Sequence, residues 1–175
     1  MTTPDKVLAV ATHFGDQHYK EGKNNDTIFG QWYGMNHVPW CAMFVSYCFA
    51  QAHAVSLVAA TTPKGFASCS AGLSWFKHKK QAVNVRFAKA GDVVFFNFAG
   101  GTSPTHVGLV IDNDKKAKVL HTIEGNTVNP NGSGDQVNGD GVYYKTRPYR
   151  YVVGVGRPKW EPSAPAVSSK PLKAS

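Results

Sequence analysis

The sequence contains no run of about eighteen apolar residues, so no segment is expected to cross a bilayer as a helix. Its first residues, Met1-Thr2-Thr3-Pro4-Asp5-Lys6, lack the apolar core of a secretory leader, and the product is expected to be made in the cytoplasm without a signal peptide. Cysteine is scarce, with only Cys41, Cys48 and Cys69. An odd number cannot all pair within one chain, and no CxxC spacing occurs, which argues against both a disulfide framework and a zinc ribbon. At least one free thiol is therefore expected. Acidic residues are also few, 11 against 19 Lys and Arg, giving a net charge of +8. Such a chain is drawn to polyanions: nucleic acid, an anionic membrane or an acidic cell wall. The basic residues are dispersed, and the densest cluster, Lys77, His78, Lys79 and Lys80, reads as a short solvated face. No nucleic-acid-binding motif is present, so no nucleic-acid partner is expected.

The chain of 175 residues is 42% hydrophobic and 17% charged, which suits one globular domain. Residues 3–16 read as a helix, with Thr3 at the cap, Pro4 in the first turn, and Val7, Leu8, Ala11 and Phe14 at helical spacing. Residues 21–39 read as a loop rich in Gly and Asn. Residues 40–53 form an apolar run too long for a strand and are expected to be a buried helix. A further helix is expected over 69–79. Strands are expected at 93–98, at 106–111 with a turn over 112–116, at 117–123 returning, and more weakly at 141–145 and 151–156. Helices first and strands afterwards give an α+β fold. The expected domain spans 1–160, and 161–175, rich in Pro, Ser, Ala and Lys, reads as a disordered tail or linker.

Cys41 is the sharpest chemical feature. It follows Pro39-Trp40 and opens the expected helix, where unpaired N–H groups and the helix dipole favour a thiolate. A small buried residue would also suit that position. Cys48, seven residues on, reads as core, and Cys69 stands near another helix start. The nucleophile needs a base, and among seven histidines His106 stands out at the start of a strand after the Gly/Ser/Pro/Thr loop. With a hairpin turn centred near Lys115, residue 106 lies opposite Glu124, whose carboxylate would orient the imidazole. Asn126 shares that side of the strand and would support the network. His121 and Glu124 have an HxxE spacing, but on a strand residues three apart face opposite sides, so no metal is expected there. Trp40, Trp32 and Tyr33, the aromatics around the nucleophile, are the candidate substrate-binding residues.

Four segments together carry a resemblance. Pro39-Trp40-Cys41-Ala42 with Phe44-Val45-Ser46, Ala90-Gly91-Asp92-Val93-Val94-Phe95-Phe96, Thr105-His106-Val107-Gly108-Leu109-Val110 and Ile123-Glu124-Gly125-Asn126-Thr127 resemble, in order and spacing, the motifs of CHAP domains, the cysteine/histidine-dependent amidohydrolase/peptidases. The segment from Asn24 to Gly34 is similar to that of CHAP endolysins from phages of actinobacteria. The resemblance covers about residues 5–158. It implies a papain-like α+β fold, with N-terminal helices packed on a small antiparallel sheet. It also implies a monomeric peptidoglycan hydrolase with Cys41, His106, Glu124 and Asn126 in the site, no cofactor, no membrane insertion, and release to the wall by a holin. Some relatives bind calcium through acidic residues around the cysteine; Trp32 to Phe44 contains no Asp or Glu, so no metal is expected there. The alternatives left open are a wall endopeptidase of the Cys-His-His type, with His121 as the second histidine, and a noncatalytic wall-binding module.

Overall fold

The computed structural model describes residues 3–131 and 135–160; the expected tail over 161–175 lies outside them. Four α-helices come first: α1 (Pro4–Asp16), α2 (Ile28–Tyr33), α3 (Cys41–Gln51) and α4 (Cys69–His78). Six strands follow: β1 (Ala82–Val83), β2 (Val93–Phe96), β3 (His106–Asp114), β4 (Val119–Thr127), β5 (Gly141–Pro148) and β6 (Val152–Gly156). They form one antiparallel sheet in the order β1-β6-β2-β3-β4-β5. The fold is the expected papain-like α+β arrangement of helices against an antiparallel sheet.

α3 is the hub. Eight of its eleven residues are buried, and apolar side chains surround it on all sides. A helix of that kind is stable only inside a core. It packs across β3 and β4 on one side and against α1 and α2 on the other. Phe14, Phe29, Phe44 and Trp40 fill the joint, with ring centroids of Phe29 and Phe44 5.2 Å apart at 80°. The opposite face of the sheet carries a smaller cluster built on Val94, Phe96, Val110, Leu120 and Val155.

Three details differ from the sequence reading. The loop over 21–39 contains α2, a short helix whose N-terminus is capped by the Thr27 hydroxyl accepting from the Gly30 N–H. The third helix starts at Cys41 itself, with Trp40 as its N-cap residue. The β3–β4 hairpin is longer than expected, and a bulge between Val110 and Asp112 shifts its register. The Ala90-Gly91-Asp92 turn ends in a buried Asp92, whose carboxylate accepts from Arg157 at 3.0 and 2.8 Å and from the Lys89 N–H. That ties the entry of β2 to the exit of β6.

Candidate active site

Cys41 sits where the sequence places it, on the first turn of α3, and is 5% exposed. The backbone of Trp40 is non-helical, so the helix begins there and the N–H groups of its first turn have no partner within the helix. The Ala42 N–H favours the thiolate. Trp40 fixes this start from beneath. Its ring stacks on Phe29, 5.2 Å between centroids, and its Nε1 donates to Glu21 Oε2 at 2.6 Å. The indole has no exposed surface. The expectation that Trp40 contacts substrate is therefore corrected: the ring is part of the core. Its space comes from Gly125 on β4, where a Cβ would lie 2.6 Å from the indole and 2.7 Å from Phe44.

His106 is the first residue of β3 and is fully buried. The preceding loop is templated by Asn97, whose amide donates to the Ser103 carbonyl and accepts from the Ala99 and Gly101 N–H groups. Phe96 and Phe98 flank the imidazole, at 6.2 and 5.9 Å between centroids. Its Nε2 meets Glu124 Oε2 at 3.0 Å. The expected direct opposition of residues 106 and 124 is off by two residues. Val110 pairs with Thr122 and Leu109 with Ile123, and that register puts Gly108 opposite Glu124. A shift of two keeps every side chain on its face, so the pair still forms, as a diagonal contact. It forms because residue 108 has no side chain: a Cβ there would lie 2.5 Å from Glu124 Cγ.

Glu124 is fully buried and saturated. It accepts from Thr122 Oγ1 at 2.6 Å, from Arg147 Nε at 2.9 Å, and from Arg147 Nη2. Arg147 is itself held by Gln136 Oε1 and Thr127 Oγ1, and its guanidinium lies 4.5 Å from the Phe98 ring centre. Sequence reasoning missed Arg147; it lies on a weakly patterned strand, outside any motif.

The result is a row of alternating charges, Cys41, His106, Glu124 and Arg147. Contact with the Cys69 thiol lowers the Cys41 pKa well below its ordinary value, and His106 and the Ala42 N–H add to this against the cost of burial. Burial pulls the His106 imidazole down, but Cys41 and Glu124 outweigh it and raise the pKa to about 9. Burial pushes Glu124 up, but Arg147 and His106 outweigh it and hold the carboxyl at about 2. These directions favour a thiolate–imidazolium pair backed by a carboxylate–guanidinium pair. Among the described residues no nitrogen or oxygen partner is taken by the imidazole Nδ1, which leaves it for Cys41 and a reacting group.

Asn126 is fully buried; its Nδ2 donates to the Val137 carbonyl at 3.0 Å, and among the described residues its Oδ1 has no hydrogen-bond partner. The expected contact with the Cys41–His106–Glu124 network is not made. Trp32 and Tyr33 are half-buried on α2. Trp32 packs edge-on against Tyr47, about 9 Å along α3 from Cys41. Tyr33 shares a hydrogen bond with Thr61 at 3.1 Å. His121 contacts Thr146 on β5 and takes no part in the row. Cys69, which the sequence marked only weakly, opens α4 with its sulfur 3.8 Å from that of Cys41. A groove of about 580 Å3 lies behind Arg147, lined by His121, Thr122, Lys145 and Thr146 among others; Cys41, His106 and Glu124 do not line it. Among the described residues no three His, Cys, Asp or Glu side chains gather as a metal site, and no helix is long and apolar enough to cross a membrane.

The model of the NlpC/P60 family matches residues 30–153, a span that includes Cys41, His106, Glu124 and Arg147. No curated protein and no solved structure gives a match.

Proposed function

Because the chain belongs to the NlpC/P60 family, cysteine peptidases that act on peptidoglycan and are related to CHAP domains, we propose that it hydrolyses an amide bond of the wall peptide with Cys41 as nucleophile. The observation that carries this reading is the buried row in which Cys41, His106, Glu124 and Arg147 alternate in charge. In this reading the Cys41 thiolate attacks the scissile carbonyl. N–H groups at the start of α3 stabilise the oxyanion. The His106 imidazolium gives its proton to the leaving amine and then, as a neutral base, activates the water that releases the acyl enzyme. Glu124 holds the imidazole through Nε2, so that Nδ1 faces the chemistry.

The finer reading is a CHAP-type, phage endolysin-like enzyme that acts at the bacterial wall as a monomer. Two observations support it: the Glu-Gly-Asn segment supplies a carboxylate to the histidine, and the net charge of +8 attracts the chain to an acidic wall. The position of His121, against Thr146 and away from His106, disfavours a Cys-His-His arrangement.

The test is mass spectrometry of purified peptidoglycan digested with the wild type and with Cys41→Ala, scoring new amino termini. A new alanine terminus with free lactyl-muramic acid identifies an amidase, and a terminus within the stem or bridge an endopeptidase. Digestion by Cys41→Ala equal to that of the wild type would refute the proposal.

A further inference from the structure

The second thiol at the nucleophile has no part in that reaction scheme. Cys41 and Cys69 are 28 residues apart, and their sulfurs lie at 3.8 Å, in van der Waals contact but unbonded. Each is the first residue of its helix, α3 or α4. The approach is built in. Ser46, on α3, donates to the Phe66 carbonyl at 2.8 Å and accepts from the Phe66 N–H at 2.9 Å, clamping the segment that leads into Cys69. Cys69 is half-buried, while Cys48 is fully buried in the core and has no sulfur partner.

We propose that Cys69 is a resolving thiol for Cys41, so that a peroxide converts the pair into a reversible Cys41–Cys69 disulfide instead of overoxidising the nucleophile. The sulfurs must close from 3.8 Å to about 2.05 Å. That is a movement of roughly 2 Å, within reach of side-chain rotation at two helix-first residues.

The chemistry balances in two steps. The Cys41 thiolate attacks one peroxide oxygen; the S–O bond forms, the O–O bond breaks, and the departing oxygen takes a proton from the His106 imidazolium and leaves as water or alcohol. The Cys69 sulfur then attacks the Cys41 sulfenic acid. The S–S bond forms, the S–O bond breaks, and the hydroxyl leaves as water with the proton from Cys69. Two thiols are oxidised by two electrons and one peroxide is reduced by two. The order of events follows from the environment. While Cys41 is a thiolate, its contact holds Cys69 protonated, far above the ordinary thiol range. Once Cys41 is a neutral sulfenic acid, that hold is gone, and the N-terminus of α4 favours the Cys69 thiolate.

The inference does not depend on the substrate, and its test needs none. The purified full chain is treated with hydrogen peroxide, then analysed by intact mass, peptide mapping and thiol titration in denaturant. The expected product has lost two hydrogens, carries a peptide linking Cys41 to Cys69, and has one titratable thiol left of three. Dithiothreitol restores all three. Cys69→Ser is expected to gain two oxygens at Cys41 as a sulfinic acid that dithiothreitol does not reverse, and Cys48→Ser to behave as the wild type. Wild-type protein that accumulates the Cys41 sulfinic acid with Cys69 still free, or that links only between molecules, would overturn the proposal.

Discussion

Arg147→Met removes the guanidinium while keeping an apolar stem beside Phe96 and Phe98. Glu124 then keeps Thr122 and His106 but loses the one partner, among the described residues, that meets both of its oxygens. The carboxyl sits at about 2 against an ordinary 4.5, despite burial acting the other way. A difference of roughly 2.5 pKa units corresponds to about 3 kcal/mol of folding stability at neutral pH. Arg147 is the foremost contributor to that depression. Its removal leaves a dry carboxylate with a single cationic neighbour, so a loss of about 3 kcal/mol is expected, in line with the roughly 3–5 kcal/mol for breaking a buried pair. Urea unfolding at pH 7, followed by tryptophan fluorescence, measures it. The pH dependence supplies the check. The depressed Glu124 pKa stabilises the wild type fully above 4.5, and that stability is lost as pH falls towards about 2. The gap between wild type and variant should therefore narrow over the same range, where both carboxyls become neutral. A gap below about 1 kcal/mol at pH 7, or one that does not narrow in acid, would refute the assignment of Arg147 as the partner that keeps Glu124 ionised.

Gly108→Ala should lower wall-lytic turnover by roughly tenfold to a hundredfold while the protein stays folded, because the new methyl displaces Glu124 from His106; unchanged turnover would contradict the diagonal contact. Ser46→Ala should cost about 2 kcal/mol in urea unfolding, since it strands the buried N–H and carbonyl of Phe66. Activity should fall as pH rises through about 9, where His106 loses the proton that the leaving amine needs, and a pH–rate profile reads this directly. Stability follows a different curve. The raised His106 pKa stabilises fully below 6.5 and is lost towards about 9, whereas the lowered Cys41 pKa stabilises fully above 9 and is lost as pH falls. The two trends oppose each other between 6.5 and 9, because folding moves a proton from sulfur to ring. This site's contribution should therefore vary less over that range than either group alone would make it, and decline in acid, as urea midpoints across that range will show.

The sequence read well wherever one short segment determined the outcome. Pro39-Trp40-Cys41 starts α3, and the alternation after His106 makes β3. It read poorly wherever a distant segment decides. Trp40 looked like a groove aromatic, but its burial depends on the missing side chain of Gly125, far along the chain on β4. The exact hairpin register depends on a bulge at residue 111 that periodicity does not announce. Arg147 and Cys69 reach the site only through β5 pairing and the Ser46–Phe66 clamp, contacts that exist in the folded chain alone. The thiol contact and the guanidinium are accordingly the two parts of the site that no motif foretold.

The charge row draws its members from α3, β3, β4 and β5, so residue 41 waits for residue 147. Chains emerge from the ribosome from their N-terminus. Until β5 closes onto β4, Glu124 lacks the guanidinium that holds it ionised, and the imidazole lacks its full backing. A fragment ending before β5 would carry Cys41 with its Cys69, His106 and Ala42 neighbours, but without the cation that anchors the carboxylate behind the imidazole.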